Sequence, residues 1–438
     1  MPIMTPDEIA TARPDPLPDL LSDPCSTPKS RARAKMEATG QWHPAQVMGR
    51  RWGIGCVALE ITQRCNLDCS LCYLSEMSEA VRDTPLQEIY RRIDMILTYY
   101  GPGTDVQVTG GEPTLRPRAV LLAIVRRIRE RGMRAALFTN GIRATRSLLT
   151  ELAEAGLVDV AFHVDTTQRR RGYATEADYD ALREEYIERA RGLPLSVLFN
   201  TTVHAGNFID IPAIVRCFVR HSDVVRLASF QLQADTGRGV VRGRAAAITQ
   251  ASVGQQIQVG AGAEIRFDTP GVGHHACNQY AMTLVVNGCV HDVFDDPRVI
   301  TRLLQATQDL QFDRTDRRRA IGALGDWLLR NPVEVLRNAG WAAAKLWAMR
   351  ADLAASGGRA DKLSFFIHNF MGADQLDAER IGACVFSVAT AGGPISMCLH
   401  NAKRDSFILQ QLPIDGAAWS PLADARQPAR RVTVRHRA

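Results

Sequence analysis

The chain lacks any long apolar run. Across 438 residues no stretch stays hydrophobic and uncharged over the roughly 20 positions that a bilayer-spanning helix needs. The first stretch is broken by Pro14, Pro16 and Pro18 and has no apolar signal-peptide core. Aromatic residues are scarce, at 6%, and none interleave with a basic segment, so no specific nucleic-acid partner is indicated. An excess of charge is lacking too: 53 basic against 47 acidic residues leave a mild +6. Ten cysteines without a secretory signal do not form a disulfide framework and point to a reduced, cytoplasmic setting. The remaining composition is that of an ordinary globular protein, and the length suits two or three units.

What is present begins with three cysteines. Cys65-Asn66-Leu67-Asp68-Cys69-Ser70-Leu71-Cys72 has the spacing C-x3-C-x2-C, which places three thiolates on one short loop. They can hold three corners of an iron–sulfur cube and leave the fourth iron open. A strand over 57–62 leads in, and Ile89, Ile93, Ile96 and Tyr99 follow at helical spacing. A zinc site with a distant fourth ligand stays open, although no second CxxC knuckle follows. Downstream, Val106-Gln107-Val108-Thr109-Gly110-Gly111-Glu112-Pro113-Thr114 is a strand ending in a glycine pair, an acid and a proline. Glycines there admit close approach of a ligand to the backbone, and Glu112 offers an acceptor for an ammonium group. Strands over 135–141, 158–165, 195–203 and 224–234 alternate with helices over 120–131, 147–154, 177–190 and 211–220. The predicted fold class is α/β: a partial (β/α)6 TIM-like barrel with right-handed crossovers, its motifs at the carboxyl ends of the strands.

Together the cysteine loop and the Gly110-Gly111-Glu112 segment resemble the radical S-adenosylmethionine (SAM) superfamily over roughly residues 57–234. The resemblance implies a [4Fe–4S] cluster on Cys65, Cys69 and Cys72, with SAM on its open iron. It implies a cofactor cradle drawn from Tyr73, Thr109, Gly110, Gly111, Glu112, Pro113, Asn140, Asp165 and Asn200, with Glu112 near the methionine amino group and Asp165 and Asn200 near the ribose and carboxylate. The family's aromatic residue before its third cysteine is Leu71 here, and Tyr73 follows instead. An electron donor such as ferredoxin or flavodoxin and a 5′-deoxyadenosyl radical are implied as well. His163 reads as a core histidine or a polar substrate contact, and no residue is assigned to catalysis.

The predicted organisation is a disordered or loosely docked tail (1–50), the core (51–240), an auxiliary α+β extension (241–420) and a basic tail (421–438). Two hairpin patterns in the extension carry cysteines at both ends, Cys277 with Cys289 and Cys384 with Cys398. These resemble auxiliary-cluster extensions, implying a second [4Fe–4S] cluster on those four residues; four buried thiols are the alternative. Trp327, Trp341 and Trp347 sit among basic residues, which suits a membrane surface or an alkyl-chain tunnel, or simply a core. The phrases Phe162–Gln168, Leu363–Met371 and Ile395–Ala402 resemble the branch that includes archaeal tetraether lipid synthase and the methyltransferases of the methanopterin ring. The expected activity is hydrogen abstraction for carbon–carbon bond formation or alkylation on a lipid-type substrate, with peripheral contact to the inner membrane face. A peptide-modifying maturase with an auxiliary cluster, and a non-catalytic metal-binding scaffold or sensor, stay open.

Overall fold

The computed structural model describes residues 4, 26–239 and 243–422. In chain order the elements are α1 (Pro28–Ala38), β1 (Cys56–Thr62), α2 (Leu86–Tyr100), β2 (Asp105–Gly110), α3 (Arg118–Glu130), β3 (Arg134–Thr139), α4 (Arg146–Ala155), β4 (Leu157–His163), α5 (Glu176–Ala190), β5 (Ser196–Val203), α6 (Ile211–Arg220) and β6 (Val225–Leu232). Then come α7 (Gln250–Ala261), the hairpin β7 (Asn278–Val286) and β8 (Cys289–Asp292), and helices α8 (Pro297–Ala306), α9 (Arg317–Arg330), α10 (Pro332–Ala348) and α11 (Arg350–Ala355). Strand β9 (Asp361–Asn369), α12 (Ala378–Gly382), the hairpin β10 (Phe386–Thr390) and β11 (Gly393–Ser396), α13 (Met397–Ala402) and α14 (Asp405–Ile408) complete the main body.

The six expected strand–helix units are present, and the extension then enlarges the same sheet. β9 adds beside β6 and β10 beside β1, both in parallel, so eight parallel strands run in the order β10-β1-β2-β3-β4-β5-β6-β9. Strands β11, β7 and β8 continue the two ends antiparallel. Segment 241–420 is therefore no detached lobe. Strands β9 and β10 meet through side chains alone: Phe386 packs edge-on against Phe366 at 6.1 Å and against His368 at 5.1 Å.

Alternation along the strands separates two faces. Val57, Leu59, Val106, Val108, Val160, Phe162, Val197 and Phe199 face the helices and are fully buried with them. The intervening residues face the lumen, and many are polar. Register sets His163, Asn200 and Ser229 side by side, with Thr202, Gln231 and His368 in the next row. Helices cover the outer face because their apolar stripes demand it: Ile89, Ile93 and Ile96 of α2 are all buried.

The N-terminal segment departs from expectation. Thr27 and Ser30 form a reciprocal cap on α1, and Met36, Val47 and Met48 pack with Val272, Ala383 and Val385. Residues 26–50 are thus docked on apolar contacts that the proline-rich composition upstream concealed. The residues before 26 other than Met4, and most of the basic tail, lie outside the described residues.

Candidate functional site

Cys65, Cys69 and Cys72 follow the carboxyl end of β1, each partly buried. Burial pushes all three thiols up, Cys65 to about 11. The loop has little regular structure, and distant segments hold it in place. Ser70 N donates to Thr167 O beyond β4 (2.8 Å), and Asn140 Nδ2 beyond β3 donates to Asn66 Oδ1 (2.7 Å). Arg238 N donates to Cys72 O at 2.9 Å, while its guanidinium reaches Ser75 O and Asp68. The three sulfurs do not all lie within 4.8 Å of one another. Around one tetrahedral ion, with metal–sulfur bonds of about 2.3 Å, they would sit about 3.8 Å apart. The observed spacing is wider than a single tetrahedral ion would set.

The glycine pair serves the protein's own backbone first. A Cβ on Gly110 would lie 2.0 Å from Thr62 O, and one on Gly111 would lie 2.1 Å from Arg64 O. Gly110 also has φ +128°, which disfavours a side chain. This approach lets Gly111 N donate to Thr62 O (2.9 Å) and Glu112 N to Arg64 O (2.8 Å), locking the end of β2 against the start of the cysteine loop. Pro113, buried, opens the short turn that follows.

Two carboxylates at the strand tips are held by donors from neighbouring strands. Glu112 is fully buried and accepts from Thr114 N (3.0 Å), Thr114 Oγ1 (2.5 Å), Thr139 Oγ1 (2.8 Å) and Asn140 N (2.7 Å). Burial raises its pKa and these donors only partly offset the rise. Its carboxylate clamps β2 to β3. Asp165, also fully buried, accepts from Thr167 N (2.9 Å), Thr202 N (2.7 Å), His163 Nε2 (2.9 Å) and the Thr167 hydroxyl. Burial would raise its pKa, but His163 and these donors hold it well below the carboxylate range. It too is a clamp, tying β4 to β5. In both cases a buried acid has to be satisfied locally, and the strand tips supply the donors.

Asn200 and Thr109 face the lumen, as does His163. Burial lowers the His163 pKa, but the Asp165 charge and hydrogen bond outweigh it and the net shift is upward. Tyr73 donates to Gly110 O at 2.6 Å, so the displaced aromatic buttresses the glycine turn. Sequence reasoning missed Arg404. Its guanidinium lies 4.6 Å over the Tyr73 ring and bonds the buried Glu60 (2.8 and 2.9 Å), although 344 residues separate the pair in sequence. No local pattern could signal a partner so remote.

The second cysteine set assembles only in part. Cys277, Cys384 and Cys398 share one mostly apolar pocket with Phe370, Met371 and Phe386, where the two ends of the sheet meet. Burial raises Cys277 and Cys398, the latter to about 12. Arg380 Nε donates to Cys277 Sγ at 3.2 Å. These three sulfurs also do not all close within 4.8 Å. Cys289 is absent from the set: it is exposed beside Asp352, at the far end of the nine-residue β7, roughly 27 Å from Cys277. The hairpin prediction holds for both turns, with Asn287 and Gly288 at positive φ. Cys289 directly follows the turn and pairs with Val286, so it stays at the opposite end of β7 from Cys277.

Residues 59–215 match the family model described as the Radical SAM superfamily. The chain is similar to 7,8-dihydro-6-hydroxymethylpterin dimethyltransferase of Methanocaldococcus jannaschii, 29% identical over 41% of this chain and 36% of the relative. It is similar to Fe-coproporphyrin III synthase of Methanosarcina barkeri, 33% identical over 36% and 39% of the two chains. It is also similar to a probable GTP 3′,8-cyclase of Pyrococcus abyssi, 35% identical over 40% and 56%. The chain thus spans between 36 and 56% of the length of these relatives.

Proposed function

We propose that this chain, which carries a radical SAM domain with a [4Fe–4S] cluster and SAM as cofactors, is an enzyme that abstracts hydrogen from an unactivated C–H bond for carbon–carbon bond formation or alkylation. The observation that carries the reading is the three-cysteine loop locked onto the Gly110–Gly111 turn at the mouth of a parallel barrel. Cys65, Cys69 and Cys72 would hold the cluster. With SAM bound, the pair would supply one-electron reductive cleavage of the sulfonium and, through it, hydrogen-atom abstraction from substrate.

The chain's own residues supply shape and orientation. Tyr73 and Arg404 brace the glycine turn from behind. Glu112 and Asp165 fix the strand tips so that lumen residues keep their positions. Burial alone, with no opposing charge, pushes His368 down to about 3, so its imidazole is neutral in the lumen. With Asn200, Ser229 and Gln231 it offers uncharged donors and acceptors to a substrate. The lumen thus favours a lipid-type substrate that carries a polar, uncharged group near its reacting carbon. The same polarity supports a second reading, a small heterocycle, as one relative's name includes a pterin. An electron donor of the ferredoxin or flavodoxin type would reduce the cluster. A second [4Fe–4S] cluster on Cys277, Cys384 and Cys398, with a fourth position open, is part of the proposal.

The test is anaerobic reconstitution with SAM and dithionite, offered deuterated lipid extracts or deuterated pterins. Deuterium in 5′-deoxyadenosine from one pool identifies the class. Absence of any 5′-deoxyadenosine from a fully iron-loaded protein would overturn the enzyme and favour the scaffold.

A further inference from the structure

Helix α10 is inside out. Its buried residue is Asn338, and Lys345 turns inward to Asp292 O (2.7 Å) and Asp295 (2.5 Å). Trp341 is half-buried, but Val333, Leu336, Ala343 and Trp347, successively three, seven and four residues apart, line the exposed face. Leu336 is 76% and Trp347 68% exposed. On α9, Ile321, Leu324 and Leu328 make a second exposed stripe, and Leu329, 83% exposed, lies near the turn between the two helices. Ten of the fifteen exposed large hydrophobic residues among those described fall within residues 312–347. An apolar surface concentrated in one helical pair marks a contact surface, since monomers rarely leave such a patch to water.

Charge selects the occupant. Residues 313–359 hold nine basic and five acidic side chains. Arg317, in line with the α9 stripe, and Arg337, beside the α10 stripe, have well-exposed side chains although paired with Asp361 and Glu334, and Arg350 stacks over the Trp347 ring at 4.1 Å. The exposed Asp326 lies on the side of α9 opposite the Ile321–Leu328 stripe. Apolar stripes with an exposed tryptophan and a rim of arginines suit the headgroup layer of an anionic bilayer. A second copy of the same surface would set these arginines against each other. No helix among the described residues is long and apolar enough to cross a membrane, so the contact is with its surface.

We propose that the α9–α10 pair seats this protein on an anionic lipid surface through Ile321, Leu328, Leu336 and Trp347. The inference rests on this patch and holds whichever substrate enters the barrel. The probe is flotation of the cluster-loaded protein with phosphatidylcholine vesicles, with and without phosphatidylglycerol, at low and high salt. The comparison is with a Leu336→Glu, Trp347→Glu variant, whose altered side chains are exposed and pack against nothing buried. Wild type is expected to float with the anionic vesicles, less so at high salt, and the variant to lose at least about tenfold of that binding. Uncoupled SAM cleavage should stay unchanged in the variant, so a failed membrane test leaves the proposed enzyme standing. No flotation of wild type, or equal flotation of the variant, overturns the proposal. A lipid-free dimer of wild type that the variant dissolves also overturns it, in favour of a second copy.

Discussion

Each of two regions presents three cysteines, and they are built in opposite ways. Cys65, Cys69 and Cys72 lie within eight residues of one loop, so their proximity is set by the covalent chain. Cys277, Cys384 and Cys398 come from three segments and meet only where the flanks of the sheet close through Phe366, His368 and Phe386. The first set survives as a motif in any structure that keeps the loop. The second exists only if the barrel closes, and it drops Cys289 because that residue stands beside the β7–β8 turn. Arg404 links the regions: it stands six residues after Cys398 and rests on Tyr73, next to Cys72. Spacing in sequence is therefore strong evidence for a local site and weak evidence for an assembled one.

The harshest way to break the comparison is Cys69→Ser. It should cut 5′-deoxyadenosine formation to background and remove about four irons, with the seam site retained; product quantified by chromatography beside iron and sulfide analysis would show it. Next is the link itself. Arg404→Met leaves Glu60 as an unpaired buried charge and should cost about 3–5 kcal/mol of stability, read from the denaturant midpoint. A loss under about 1 kcal/mol would mean that the two regions are not coupled through this pair.

A Cys384→Ala, Cys398→Ala double variant should lose about four irons while SAM cleavage persists. Unchanged iron would reduce the seam to buried thiols. The pH dependence of the link is smaller. Burial raises Glu60, but Arg404, His400 and hydrogen bonds from Gln63 and Arg404 bring its pKa from 4.5 down to about 2. That stabilisation, on the order of 3 kcal/mol, is present above pH 4.5 and lost as pH falls toward and through about 2. Glu60→Gln should flatten this acid limb in stability measured across pH 2 to 6. The smallest effect sharpens the contrast: Cys289→Ser should leave iron content unchanged, because the thiol is exposed and remote from the seam.

Much of the core was legible. Strands β1 to β6 and their helices follow from period-2 and period-3.6 patterns, and both hairpin turns from Asn287-Gly288 and Ala391-Gly392. The roles of Glu112 and Asp165 were not, because a motif says which residue stands at a strand tip and nothing of which way its oxygens turn. The close approach of Thr62 and Arg64 to the glycine pair was not legible either, since it joins two strand ends about 47 residues apart. The inverted α10 shows the same limit: apolar spacing marks a helix face, but only packing decides whether it faces core or solvent.

By itself the chain determined what covalent neighbourhood can determine: the cysteine loop, the alternating elements and the turns. Tertiary structure alone decided the eight parallel strands of the eleven-stranded sheet, the three-cysteine seam, the Arg404–Glu60 pair and the polar lumen. The physical reason is range. Backbone geometry and side-chain period act over a few residues, while burial and charge pairing act between any segments that the fold brings together, here across as many as 344 positions.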